Sequence, residues 1–208
     1  MEQCNYTEKI KKIINKSKVG TVFVSVDFAH IADNRTICVV LSRLERDGLI
    51  ERLLRGVYYK PEYSKFLKEN IAPDPNDVAK AIARSTSSII VPTGDTVLNM
   101  FGLSTQIVGK YIYVTNGKYK TYQYGNVTII FKRTTNKELI NLSERTAMLV
   151  QAIKSLGKEN IGERELEVFS SKYNDEEKRK MIDETRAVTS WIYEIVKDIC
   201  GGINKCVK

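Results

Sequence analysis

The chain has 208 residues, 42% of them hydrophobic and 28% charged, a balance ordinary for a globular protein with a buried core. No run reaches the roughly 18 apolar residues of a membrane span, and MEQCNYTEKI at the N-terminus lacks the apolar stretch of a signal peptide, so the expected location is cytoplasmic. The net charge of +8 is uneven: residues 1–137 carry 21 Lys/Arg against 12 Asp/Glu, and residues 138–208 carry 12 against 13. A basic excess in the first two-thirds points to a polyanionic partner, nucleic acid first, because each neutralised phosphate releases condensed counterions.

Residues 5–16 carry Tyr6, Ile10, Ile13 and Ile14 at helical spacing, with lysines opposite. Thr21–Val24 is β-branched and aromatic, a short strand. Ser25 or Asp27 caps a short helix to about Ala32, with Phe28 and Ile31 facing inward. Asn34 then caps a helix that runs to about Asp47 and stops at Gly48. Residues 49–54 and 57–61 form two strands around Arg55-Gly56, with one of Tyr58 and Tyr59 packed inward and the other facing out. Helix, strand, helix, turn, helix, hairpin is the order of a winged helix-turn-helix, assigned to residues 1–66.

The second region, 67–208, begins in a connector. Tyr63 to Asn70 reads as a short helix, broken by Pro73 and Pro75. A helix over 77–84, a strand over 88–91 and a short helix over 95–101 ending at Gly102 follow. Strands at 111–115, 120–124 and 127–132 are separated by Asn116-Gly117 and Gly125-Asn126, which predicts an antiparallel meander. From Ser143 the chain is helical: to Leu156 with Gly157 as stop, Glu163 to Phe169, and one long helix from Asp175 to about Cys200. Met181, Ile182, Val188, Ile192, Ile195, Val196 and Ile199 give that helix an apolar stripe. The predicted class is α+β: the N-terminal winged helix-turn-helix, an α+β unit with antiparallel strands, and a C-terminal helical segment.

On the helix Arg35–Arg46, about 100° of rotation per residue gathers Ile37, Val40, Leu41 and Leu44 into one stripe. Arg35, Val39, Ser42 and Arg46 fall opposite, with Arg43 on a flank. That set suits a major groove: Arg bonds guanine edges in pairs, Ser bonds bases or phosphate, and an apolar side chain meets the thymine methyl. The N-terminal part of such a helix enters deepest, so Asn34, Arg35, Thr36 and Val39 are the candidate base readers, and Arg43 and Arg46 the candidate phosphate contacts. The hairpin adds Arg52, Arg55 and Lys60, and the Gly56 amide beside Arg55 suits a phosphate.

No glycine-rich phosphate loop, G-x-S-x-G or metal-ligand spacing is found, so no enzyme, metal or cofactor is expected. The only E-x-K run, Glu176-Glu177-Lys178, opens a helix, and the strand 127–132 offers Ile130 where a nuclease would place a carboxylate. His30 is expected at the surface or in packing. Cys4, Cys38, Cys200 and Cys206 form no C-x-x-C pair and are expected as reduced thiols.

Several of these residues also carry a family resemblance. Asp27-Phe28, Leu41-Ser42-Arg43-Leu44, Gly48-Leu49-Ile50 and Arg55-Gly56-Val57-Tyr58-Tyr59 with Pro61 resemble the N-terminal module of AbiEi-type (type IV) antitoxins and a related group of short bacterial proteins. Pro92–Gln106, Val114-Thr115-Asn116-Gly117 and Phe131-Lys132-Arg133 are similar to that group as well. The resemblance implies a bacterial repressor that binds inverted repeats at its own promoter as double-stranded DNA. It further implies an antitoxin of a phage-defence operon that counters a nucleotidyltransferase-like toxin without a stable complex. The alternative expectation is an interaction adaptor with the winged helix as scaffold and the helix 175–200 as docking element.

Overall fold

Asn5 opens the first helix, α1 (Tyr6–Lys16), by accepting a hydrogen bond from the Glu8 amide at 3.2 Å. The computed structural model describes residues 5–66, 68–106, 109–134 and 141–201 and divides into two units. One holds the described residues up to Ser88 together with Gln123–Val127; the other holds Ile89–Tyr122 and the described residues from Thr128 onward.

In the first unit, β1 (Val22–Val24) leads into a 3₁₀ turn, Ser25–Phe28, shorter than the expected helix to Ala32. The Asp27 carboxylate holds that turn by accepting from the Val24 amide at 2.9 Å. Helix α2 (Asn34–Arg46) is capped one residue earlier than expected, by Asp33 rather than Asn34. The Asp33 carboxylate accepts from the Thr36 amide at 3.1 Å and from the Thr36 hydroxyl at 2.6 Å. Those bonds hold its carboxyl below the usual range. Strands β2 (Glu51–Leu54) and β3 (Val57–Tyr59) complete an antiparallel sheet in the order β1-β3-β2. Ile10 and Ile14 of α1, Phe23, Phe28, the four apolar positions of α2, Ile50 and Tyr58 form one core.

Helix α3 (Pro75–Ser85) packs on β1 and β3. It covers the face on which Val22, Val24, Val57 and Tyr59 alternate with the core-facing Phe23 and Tyr58. The central strand β3 is therefore buried on both faces. Tyr58 and Tyr59 are both buried, which corrects the expectation that one of them faces out. The Tyr59 hydroxyl donates to Glu51 at 2.5 Å, and Asn70 donates to the other Glu51 oxygen. Burial, reinforced by that carboxylate, pushes the Tyr59 phenol well above its ordinary value. Arg84 of α3 closes the arrangement with Nε 2.9 Å and Nη2 3.1 Å from the Asp27 carboxylate. By packing, the first unit thus extends through α3 to Ser88.

The connector also differs from expectation. Instead of a helix from Tyr63 to Asn70 it forms a hairpin, β4 (Glu62–Ser64) paired antiparallel with β5 (Glu69–Ile71). A helix there would need to bury Tyr63 and Phe66 along one side, and neither side chain is covered.

The second unit holds all but Gln123–Val127 of a four-stranded sheet in the order β6-β7-β9-β8, from β6 (Ile90–Thr93), β7 (Lys110–Thr115), β8 (Lys120–Tyr124) and β9 (Val127–Arg133). This is not the expected meander: β9 lies between β7 and β8, and β7 pairs with it in parallel. Phe131 at the centre of β9 fixes the insertion, with ring contacts to Tyr113 at 5.9 Å and Tyr122 at 5.4 Å. Helix α4 (Asp95–Phe101) connects β6 to β7 and stops at Gly102, whose φ of 76° suits only glycine at low strain.

Helices α5 (Glu144–Leu156), α6 (Glu163–Ser171), α7 (Asp175–Thr185) and α8 (Ser190–Cys200) follow. The single long helix expected over 175–200 is two helices that pack on each other. Ile192, Ile195, Val196 and Ile199 already make a complete i, i+3, i+4, i+7 stripe. The break before Thr189 lets them and Met181 reach one core with Leu149, Ile153 and Phe169. Among the described residues no helix is long and apolar enough to cross a membrane.

Candidate nucleic-acid interface

The outer face of α2 is where the sequence places base reading. Its inner face is closed, with Ile37, Val40, Leu41 and Leu44 all at 4% exposure or less. Asn34, Arg35, Val39, Arg43 and Arg46 are exposed and Ser42 is half-buried. Val39 keeps 51% of its surface in solvent, a large apolar residue flanked by arginines. Thr36 is less available than expected, because its hydroxyl is held by Asp33.

Cys38 shares this outer face and was not among the predicted residues. It is exposed, and its thiol donates to the Asn34 side-chain amide oxygen Oδ1 at 3.9 Å. The signal was present in the spacing, since position 38 follows Arg35 by three and precedes Ser42 by four, but cysteine is not a residue type that reads DNA edges.

Three cations of the hairpin have different fates. Arg55 and Gly56 form the exposed turn between β2 and β3, with Gly56 at φ 79°. Arg52 lies across from Tyr58 and rests its guanidinium 5.9 Å from that ring centroid. Lys60 is turned to the protein: its ammonium donates to the carbonyls of Asn15 at 2.9 Å and Ser17 at 2.8 Å, closing the C-terminal end of α1. A phosphate contact expected for Lys60 would have to displace these bonds.

Arg35, Arg43, Arg46 and Arg55 differ from every such case, since among the described residues none of them has a carboxylate partner. Three other arginines are paired: Arg84 with Asp27, Arg145 with Glu177 at 2.8 Å, Arg186 with Asp183 at 2.8 Å. The α2 face therefore offers three exposed guanidinium groups, and the hairpin turn a fourth.

Glu177 and Lys178 of the E-x-K run are both engaged with neighbours. Glu177 accepts from Arg145 and from the Asn174 amide, and Lys178 donates to Ser170 at 2.8 Å. Asp95 and His30 are exposed. Cys200 is buried, which pushes its thiol up to about 11, whereas Cys4 and Cys206 lie outside the described residues. Among the described residues no three His, Cys, Asp or Glu side chains gather to hold a metal ion.

No curated protein matches the chain. A family model does, over residues 9–181, and the chain therefore belongs to DUF6088, a family of unknown function.

Proposed function

We propose that the first unit is a winged helix-turn-helix that binds double-stranded DNA, with α2 in the major groove and the β2–β3 hairpin as the wing beside the backbone. The observation that carries this reading is that three exposed arginines on α2 and one at the turn of the hairpin that follows it have no carboxylate partner among the described residues. Arg35 with Asn34 and Val39 meets base edges; Arg43, Arg46, Arg55 and the Gly56 amide meet phosphates. The protein acts in this reading as a repressor of its own operon. It is also a non-enzymatic, cofactor-free antitoxin against a nucleotidyltransferase-like toxin, with which it forms no stable complex. Support for the regulatory part is the resemblance of residues 27–61 to the AbiEi-type module.

The test is a gel shift against the DNA upstream of the gene, at two salt concentrations, with unrelated DNA as competitor. A specific shift that weakens steeply with salt is expected. No shift at either salt overturns the DNA reading, and a shift without rescue of cells expressing the neighbouring nucleotidyltransferase removes the antitoxin role.

A second reading, an interaction adaptor, is favoured by the β4–β5 hairpin and not by the helical stretch 175–200. The stripe of α8 is buried in the core and is not free to dock a partner. The β4–β5 hairpin instead exposes Phe66 at 93% and Tyr63 at 62%. Partner capture that persists in high salt and is abolished by Phe66→Ser would support it.

A further inference from the structure

The second unit contains its own concentration of positive charge. From Thr96 to Lys137 the sequence has no Asp or Glu, yet holds Lys110, Lys118, Lys120, Lys132, Arg133 and Lys137. The sheet topology draws four of these to one end. Strand β7 ends at Thr115, which lies opposite Arg133 in the parallel β7–β9 register, and Val114 lies opposite Lys132. The Asn116-Gly117 turn leads directly to Lys118, and β8 starts at Lys120 beside the end of β9. Lys118, Lys120, Lys132 and Arg133 are all exposed, and among the described residues none has a carboxylate partner.

Aromatic groups are interleaved with these charges. Tyr119, between Lys118 and Lys120, is 65% exposed. Tyr122 is half-buried against Phe131 and carries the Lys120 ammonium 4.9 Å from its ring centroid. A cluster of lysines alone would suit any polyanion. An exposed tyrosine between two of them adds a π-face on which an unpaired base stacks while the lysines take the flanking phosphates. Duplex DNA keeps its bases stacked inside and has no use for that ring.

We propose that this end of the second unit's sheet is a binding site for single-stranded nucleic acid, with Tyr119 as the stacking platform and Lys118, Lys120, Lys132 and Arg133 as phosphate contacts. The site is built from residues other than those of α2 and does not depend on the duplex reading.

The test uses the full chain and a fluorescent 12-nucleotide oligothymidylate, read by anisotropy over a salt series. Tyr119→Ala is expected to weaken binding roughly tenfold, while Tyr119→Phe, which keeps the ring, stays near wild type. Lys118→Ala/Lys120→Ala is expected to lower the salt slope by about 1.4, two phosphates at about 0.7 each. All three sites are exposed, and a thermal melt unchanged by the substitutions confirms that the fold is intact. Arg35→Ala/Arg46→Ala leaves oligothymidylate binding unchanged, so failure of this site and failure of the α2 assignment are read separately. The proposal is overturned if wild type does not bind the oligomer or if the Tyr119 and Lys variants bind it as wild type does. It is likewise overturned if unrelated duplex or heparin competes as well as the oligomer itself.

Discussion

Arg35 and Arg46 stand at opposite ends of one face of α2, and their joint replacement by alanine is the sharpest probe of the DNA reading. They are eleven residues apart, which places them about 16 Å apart along the axis and about 20° apart around it. One lies where a helix enters a groove deepest and the other where it leaves. Both are exposed, and among the described residues neither has a carboxylate partner. Replacement therefore removes no internal interaction, and stability should stay within about 0.5 kcal/mol of wild type. Loss of one bidentate base contact at Arg35 costs about 1–3 kcal/mol, or roughly 5- to 150-fold in affinity for the operator. Loss of one phosphate contact at Arg46 lowers the salt slope by about 0.9 and weakens all sequences alike. Anisotropy titrations of operator and scrambled duplex across a salt series separate the two effects. The single Arg35→Ala variant should lose operator affinity with little change on scrambled DNA, and Arg46→Ala should lose both equally. Unchanged operator binding by the double variant, with a normal melt, refutes the assignment of α2 to the groove.

Three further outcomes are expected. Gly56→Val should lower stability by about 1–2 kcal/mol in a denaturant titration, because φ is 79° there and a Cβ would meet nothing within 4 Å, leaving backbone strain as the sole effect; Gly56→Asn should lose much less. Acid should weaken the first unit through Asp33, whose folded carboxyl lies below its unfolded value. Its contribution is complete above the unfolded value near 3.8 and is lost as pH falls through the lower folded one, so the stability gap between wild type and Asp33→Ala should narrow as pH drops below that value. In a Cys4→Ser/Cys206→Ser protein at neutral pH, iodoacetamide should alkylate exposed Cys38 well before Cys200, whose thiol is buried and pushed up to about 11; equal rates would contradict the burial.

Features set by neighbours in sequence were legible, and features set by distant packing were not. The buried stripe of α2 follows from spacing alone, and Gly48, Gly102 and Gly157 mark helix ends through the positive φ each adopts. The fate of Tyr59 was hidden because the helix that covers it starts at Pro75, past two short strands. Parallel pairing of β7 with β9 was hidden for a related reason: local alternation tells which residues share a face, not which strand lies beside which. The stripe over 175–200 is apolar as its spacing predicts but is divided between α7 and α8, since two helices folded on each other show the same composition as one. At the interface, the sequence placed arginines on the outer face of α2 but could not tell a solvated cation from one used inside the fold. Lys60 is the clearest example, with its carbonyl acceptors 43 and 45 residues away in the chain.

That distinction yields a contrast between two hairpin cations that the sequence treats alike. Lys60 donates to two carbonyls at the C-terminal end of α1, where a positive charge also meets the negative end of the helix dipole. Lys60→Ala removes both bonds and should destabilise the protein by about 1–2 kcal/mol. At temperatures where the variant is folded, its DNA affinity and salt slope should match wild type. Arg55 has no such partner among the described residues and sits at an exposed turn. Arg55→Ala should leave the melt unchanged and lower the salt slope by about 0.9. If instead Lys60→Ala lowers the salt slope without changing stability, the ammonium leaves α1 to meet phosphate, and the wing contacts DNA along its stem as well as at its tip.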